Sequence, residues 1–152
     1  MDAIQLLKTD HQKVKELLAE LAQTSTRAVK KRSELLAQIR VKLKAHTTIE
    51  EEIFYPAFKQ AGEKEEAKMY HEALEEHRAA GDLVLPDLLN TAPDSDQFSG
   101  RAKVLKELIE HHVKEEEEQM FKEAKKLLSK DELNELGKQL EQRKAQLVKE
   151  LG

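Results

Sequence analysis

Four histidines and two glutamates recur at matched spacings along this chain, and imidazole nitrogen with carboxylate oxygen is metal-binding chemistry. Glu50 stands four residues after His46, and Glu116 four residues after His112. On a helix such pairs share one face, about one turn apart. Each pair falls inside an apolar stripe. The first reads Leu36, Ile39, Leu43, His46, Glu50, Ile53, Ala57, and the second Leu105, Ile109, His112, Glu116, Met120. A charge directed into a core is costly unless it is paired, protonated or bound to metal.

The remaining histidines complete a repeat. His11 and His46 are 35 residues apart, and so are His77 and His112. Asp10-His11 returns as Glu76-His77, His46-x-x-x-Glu50-Glu51 as His112-x-x-x-Glu116-Glu117, and Ile53-Phe54-Tyr55 as Gln119-Met120-Phe121. This is one helical hairpin used twice, and two such hairpins make a four-helix bundle with approximate two-fold symmetry. His11, His46, Glu50, His77, His112 and Glu116 then meet inside it. Four imidazoles and two carboxylates suit a dinuclear site, with two histidines on each ion and both carboxylates bridging. Nitrogen and oxygen donors without thiolate fit iron, manganese or zinc. Bridging carboxylates with room for a solvent-derived bridge favour a pair of irons, open to a further small molecule.

The elements that must position these residues can be read from the same periodicity. A first helix spans 2 to about 22, with the stripe Ile4, Leu7, His11, Val14, Leu18, Leu21. A second runs from about 27 to 60, with a kink expected at Pro56 and Gly62 as a C′ residue. A third covers about 64 to 90, with the stripe Tyr70, Leu74, His77, Gly81, Val84, Leu88 and a bend at Pro86. Residues 90–100 read as a loop, followed by a fourth helix to about 128. Ser129-Lys-Asp-Glu132 is a capping box that opens a short fifth helix, about 130–151, with no histidine and the look of a packing element.

Composition agrees with an all-α protein. At 152 residues, 37% charged and 4% aromatic, the chain suits one helical domain with charged outer faces. The net charge of −4 and the lack of a Lys/Arg run argue against nucleic acid or a membrane surface as partner. There is no cysteine, which excludes disulfides and thiolate sites. The N-terminus is too charged for a signal peptide, and a cytoplasmic protein is expected.

Neighbouring residues need sorting. His111 lies on a separate stripe with Val104, Leu108 and Glu115, and His112 is preferred because it preserves the repeat. Glu51, Glu52, Glu117 and Glu118 read as solvated faces, with Glu51 or Glu117 able to orient a histidine. Gly81 permits either close helix packing or access for a ligand. A ferritin-like centre needs Glu-x-x-His, and no histidine here has a carboxylate three residues before it. A zinc peptidase needs His-Glu-x-x-His, whereas His71-Glu72-Ala-Leu-Glu75 ends in glutamate.

At His46-Thr-Thr-Ile-Glu50-Glu-Glu-Ile-Phe-Tyr-Pro56, Glu75-Glu-His77 and His112-Val-Lys-Glu-Glu116-Glu-Glu-Gln-Met-Phe121 the chain resembles the hemerythrin-like, or HHE cation-binding, family. The resemblance implies an up-down four-helix bundle around a non-haem di-iron centre with carboxylate and oxo or hydroxo bridges. His11, His46, His77 and His112 would be its nitrogen ligands, and Glu50 and Glu116 its bridges. Oxygen-carrying members have His-x-x-x-His on the third helix, where this chain has Ala73 and Gly81 around His77, and an aspartate five residues after the last histidine. The set here looks more like that of iron-centre repair proteins and of the iron-sensing hemerythrin domain of an F-box protein. The expected function is binding of oxygen, nitric oxide or peroxide for sensing, storage or delivery. Redox turnover or iron-centre repair is the alternative, and a metal-free helical interaction module the second alternative.

Overall fold

In the computed structural model, which describes all residues from Met1 to Gly152, five long helices account for nearly the whole chain and there is no strand. Helix α1 is Ala3–Ala22 and opens on a capping box between Asp2 and Gln5. Helix α2 spans 29–61, α-helical over Val29–Ile49, π-helical over Glu50–Phe54 and α-helical again over Tyr55–Ala61. Helix α3 spans 64–89, with a π-helical stretch at Arg78–Val84 between Lys64–His77 and Leu85–Leu89. Helix α4 spans 96–127, with its π-helical turn at Glu116–Met120 between Asp96–Glu115 and Phe121–Leu127. Helix α5, Lys130–Leu151, starts at the Ser129/Glu132 capping box that the sequence predicts.

The core fixes the topology. One apolar cluster gathers Ile4, Leu7, Ile49, Phe54, Tyr55, Ala73 and Phe121; another gathers Val14, Leu18, Ile39, Leu43, Ala80, Ile109 and Val113. Helices α1 and α3 run from the first cluster to the second, and α2 and α4 run back. The arrangement is therefore up-down-up-down. On these helices the polar cluster residues lie where the two apolar clusters meet.

Three π-helical turns make the main departure from simple periodicity. Each begins at or just after a residue of the His/Glu set: Glu50, His77 and Glu116. A π turn takes one more residue than an α turn, so the buried stripe moves on by a residue. After Glu50 the buried positions are Phe54, Tyr55 and Phe58, while Ile53 and Ala57 of the expected stripe are only half-buried. On α3 the π turn moves the buried position from Val84 to Leu85, while Ala73 and Ala80 are buried in place of Leu74 and Gly81. Pro56 and Pro86 each follow a π turn directly. Each stands in the first turn of the α-helical segment after the π turn, where a missing N–H is tolerated.

Other boundaries shift for identifiable reasons. Helix α4 starts at Asp96, inside the expected loop, because the Ser95 hydroxyl accepts from the Phe98 N–H at 3.1 Å and caps it. Gly62 has an extended backbone (φ −103°, ψ −167°), not a left-handed one. Its lack of a Cβ leaves room for the Glu66 side chain, which folds back to accept from the Glu63 N–H. Helix α5 is not short: its 22 residues pack along α1 and α2. It crosses the start of α1 at Gly137, where a Cβ would stand 3.0 Å from the Ala3 nitrogen. Arg32, 1% exposed, closes the far end of the bundle by donating to Thr24, Ser99 and the Pro93 carbonyl.

Candidate metal centre

All six histidine and glutamate side chains singled out from the sequence come together at mid-bundle, and each is at least 94% buried. They form two groups of four. His11, His46, Glu50 and Glu116 offer one atom each within 4.8 Å of one another, and so do Glu50, His77, His112 and Glu116. The glutamates belong to both groups. Glu50 Oε1 lies 3.0 Å from His46 Nε2 and 3.2 Å from His77 Nε2. Glu116 reaches His11 Nε2 at 3.1 Å through Oε1 and His112 Nε2 at 3.0 Å through Oε2. Of the adjacent pair on α4, His112 faces this cluster and His111 is largely exposed.

Every ring is oriented from behind by a carboxylate. Nδ1 of His46 donates to Asp10 at 3.1 Å and Nδ1 of His112 to Glu76 at 2.6 Å. Nδ1 of His11 donates to Glu117 at 2.7 Å and Nδ1 of His77 to Glu51 at 2.9 Å. The four acceptors obey the sequence repeat, and they leave each Nε2 lone pair turned to the interior. Asp10 is held in turn by Lys144 from α5. The fifth helix therefore reaches the centre instead of only packing on it.

Five buried atoms in the cluster have no hydrogen-bond partner: His11 Nε2, His46 Nε2, both oxygens of Glu50 and Glu116 Oε1. They lie close together yet do not satisfy one another, an arrangement that is expensive in a core unless a cation takes the lone pairs. Ligands on opposite sides of an ion stand about 4.2 Å apart at bond lengths of about 2.1 Å, so these groups fit an ion with small adjustments. Without an ion the rings hold protons instead. Burial lowers the pKa of His46, but Glu50 and Asp10 outweigh it and carry it up to about 9. For His77 burial is outweighed by Glu50 and Glu51, again to about 9.

Tyr55 is a site residue that periodicity does not reveal. Its hydroxyl donates to Glu116 Oε2 and lies 3.1 Å from His77 Nε2 and 3.3 Å from His112 Nε2. Burial, then the nearby Glu116 and Glu50 carboxylates, push its pKa well up, so the phenol keeps its proton. On an unbroken α-helix a residue five places after Glu50 would point elsewhere. The π turn, in which the Tyr55 N–H donates to the Glu50 carbonyl, brings it in line. In the repeat its counterpart is Phe121, which has no polar atom and stacks on His11 at 5.8 Å. The two groups of four are thus alike in histidines and glutamates but differ by one phenol.

Beyond the rings, His11, His46, His77 and His112 share a small cavity with Val14, Leu43, Ile109 and Val113, and Gly81 stands at its edge. A Cβ at Gly81 would meet nothing within 4 Å. Close helix packing is therefore not what the glycine permits.

Known proteins place this architecture. The sequence model of the hemerythrin HHE cation-binding domain matches residues 2–124. The chain is 28% identical over 153 residues to a protein of Nostoc sp. (strain PCC 7120) named DNA nickase, and it spans 42% of that protein's length. Among solved structures it resembles a hemerythrin HHE cation binding domain-containing protein from Mycobacterium kansasii, with a TM-score of 0.85 and 26% identity over 99% of this chain and 89% of that one. The matched region contains α1 to α3, α4 up to its last turn, and the whole His/Glu cluster. The chain belongs to the hemerythrin HHE cation-binding domain family.

Proposed function

We propose that this is a non-haem di-iron protein that binds oxygen, or nitric oxide or peroxide, at a carboxylate-bridged centre, for sensing, storage or delivery. The observation that carries this reading is the set of five unpartnered buried donor atoms on His11, His46, Glu50 and Glu116, with both glutamates shared with the second group, His77 and His112. His11 and His46 would hold one ion, His77 and His112 the other, and Glu50 and Glu116 would bridge. When bound, ferrous ions supply electrons and open coordination positions to a small ligand.

The chain's own residues do the rest. Asp10, Glu51, Glu76 and Glu117 hold the rings so that each Nε2 faces inward. Val14, Leu43, Ile109 and Val113 keep the adjoining cavity apolar, which favours a small neutral ligand over water or ions. Tyr55 favours redox turnover as a second reading, because its hydroxyl is a hydrogen-bond donor beside the second group of ligands alone. DNA nicking belongs to the Nostoc protein, of which the chain spans 42%; a net charge of −4 speaks against a phosphate-binding surface.

The experiment is anaerobic loading with ferrous iron, followed by iron analysis and optical spectra before and after air. Two irons per chain, one for each ligand group, and near-ultraviolet bands developing in air are expected. A long-lived oxygenated form supports binding, and rapid irreversible oxidation supports turnover. Substoichiometric iron with a featureless spectrum would overturn both readings.

A further inference from the structure

The two halves of the bundle correspond through a shift of 66 residues, pairing Asp10 with Glu76, His46 with His112 and Glu50 with Glu116. They differ on the outer side of the paired carboxylates. In the first half Asp10 is neutralised by Lys144, and the surrounding positions Leu6, Ala45 and Ile49 are buried and apolar. The corresponding positions of the second half are Glu72, His111 and Glu115. Where one half has an ammonium, the other has donors for a cation.

The local geometry is that of a ligand set. Glu76 gives Oε1 to Nδ1 of His112, at 2.6 Å, and turns Oε2 toward His111 Nε2, at 3.5 Å. His111 Nε2 stands 3.1 Å from Glu115 Oε1, and the three residues offer one atom each within 4.8 Å of one another. Glu72 and Glu115 line the same face, and neither has a lysine or arginine paired to it. From here a cleft of about 20 Å³, room for one water-sized species, leads inward. Glu72, Glu76 and Glu115 line its mouth, and His112 and Glu116 its depth. Glu116 is 3% exposed, and its Oε1 has no hydrogen-bond partner.

We propose that Glu76, His111 and Glu115 form an outer site for a divalent transition-metal ion, where ions are captured before they pass along the cleft to the buried centre. One imidazole and two carboxylates at a solvent-facing position suit the iron, manganese, cobalt and zinc class, and leave positions for water. Such a site binds weakly and releases readily. Glu76 joins the two stations, with one oxygen on the outer ion and the other on the ring of His112. The capture site stands on its own residues, and the transit step rests on the di-metal reading of the buried cluster.

The test uses the metal-free full-length chain. Zinc is titrated in while the imidazole resonances of His111 and His112 are followed by NMR. The rate of cobalt uptake is measured by stopped flow for the chain and for its His111→Gln/Glu115→Gln variant. His111 is exposed and Glu115 half-buried, and both changes leave the buried ligands in place. The expected results are a His111 shift at the weaker affinity, and uptake slowed about tenfold or more in the variant with final metal content unchanged, since an acidic mouth raises local cation concentration by such factors. A His111 response with none at His112 would sustain the outer site and overturn the buried di-metal centre with its transit step. An unresponsive His111 together with unchanged uptake in the variant would overturn the proposal, whatever the buried centre binds.

Discussion

Asp10 accepts a hydrogen bond from Nδ1 of His46 at 3.1 Å, and both residues are 5% exposed. The carboxylate fixes the tautomer of the ring and raises the basicity of the inward Nε2. Lys144 holds the other oxygen of Asp10 and draws charge away from this ring. In the other half His112 bonds to Glu76, which has no lysine on it. With Tyr55 added on that side alone, the two groups of four differ electrically although their histidines and glutamates match.

Asp10→Asn should keep the shape of this contact and lose its charge. Metal affinity is expected to fall about 10- to 100-fold, as for other carboxylates behind metal-bound histidines. Lys144→Met should change affinity less, because Asp10 stays ionised beside His46. Competition with a chelator, read separately for the first and second ion, checks both. A loss spread equally over both ions would argue that Asp10 acts through the fold alone.

The six inward side chains and the five helices were legible from spacing because α-helical periodicity holds over most of the chain. What periodicity hides begins where it breaks. The π turns at Glu50, Arg78 and Glu116 insert a residue into the register, and Tyr55 enters the site only through that insertion. Pro56 and Pro86 are the sequence signal for two of the turns, but Glu116–Met120 has no proline after it. Lys144 was invisible for another reason. It lies 134 residues from Asp10, and nothing local to α5 indicates which helix it will face. Arg32 likewise reads as an ordinary surface cation and is held by partners from a distant loop.

Tyr55→Phe removes the donor to Glu116 Oε2 without changing the packing of the ring. A hydrogen bond to a buried charged group contributes about 1.5–3 kcal/mol, so the metal-free chain should lose about that much stability to urea. In the loaded chain the second reading also predicts slower peroxide consumption. Unchanged stability would mean that Glu116 Oε2 finds another hydrogen-bond donor in the cluster.

The metal-free and metal-loaded chains should respond to pH in opposite directions. His46 and His77 have folded-state pKa values of about 9, above the ordinary 6.5. Burial opposes the charge, but Glu50 with Asp10 for the first, and Glu50 with Glu51 for the second, outweigh it. A raised histidine stabilises fully below the unfolded value and loses that contribution as pH climbs through the folded one. The metal-free chain should therefore lose stability from about pH 6.5 to about 9. Ions compete with the same protons, so apparent metal affinity should rise over that window. Melting temperatures of both forms across the range check this, and parallel curves would be incompatible with shared sites.

Glu50→Ala deletes a carboxylate common to both ligand groups, so both ions should be affected together. Iron content should drop well below two per chain, and a Glu50→Gln variant, which keeps volume but not charge, should not restore it. His112→Ala should do the same for the second ion, whereas His111→Gln should leave the final content intact. Full iron content in Glu50→Ala would remove the bridging role.

Gly81 offers a test of access that leaves the metal ligands alone. It borders both the cavity behind the four rings and a surface groove lined by Leu43, Thr47 and His77. Open space surrounds a Cβ at this position, so Gly81→Ala should be tolerated. Gly81→Leu would place a branched side chain at the position common to the cavity and the groove. Iron content and its air-oxidised spectrum should stay as in the parent chain, while association of nitric oxide with the ferrous form slows. Flash photolysis or stopped flow gives the rate. A slower rate with an unchanged dissociation constant identifies Gly81 as a gate, because a barrier on the path acts equally on entry and exit. If the leucine variant binds at the parent rate, ligands reach the centre by another way, and the cleft beside Glu76 and Glu116 becomes the next position to block.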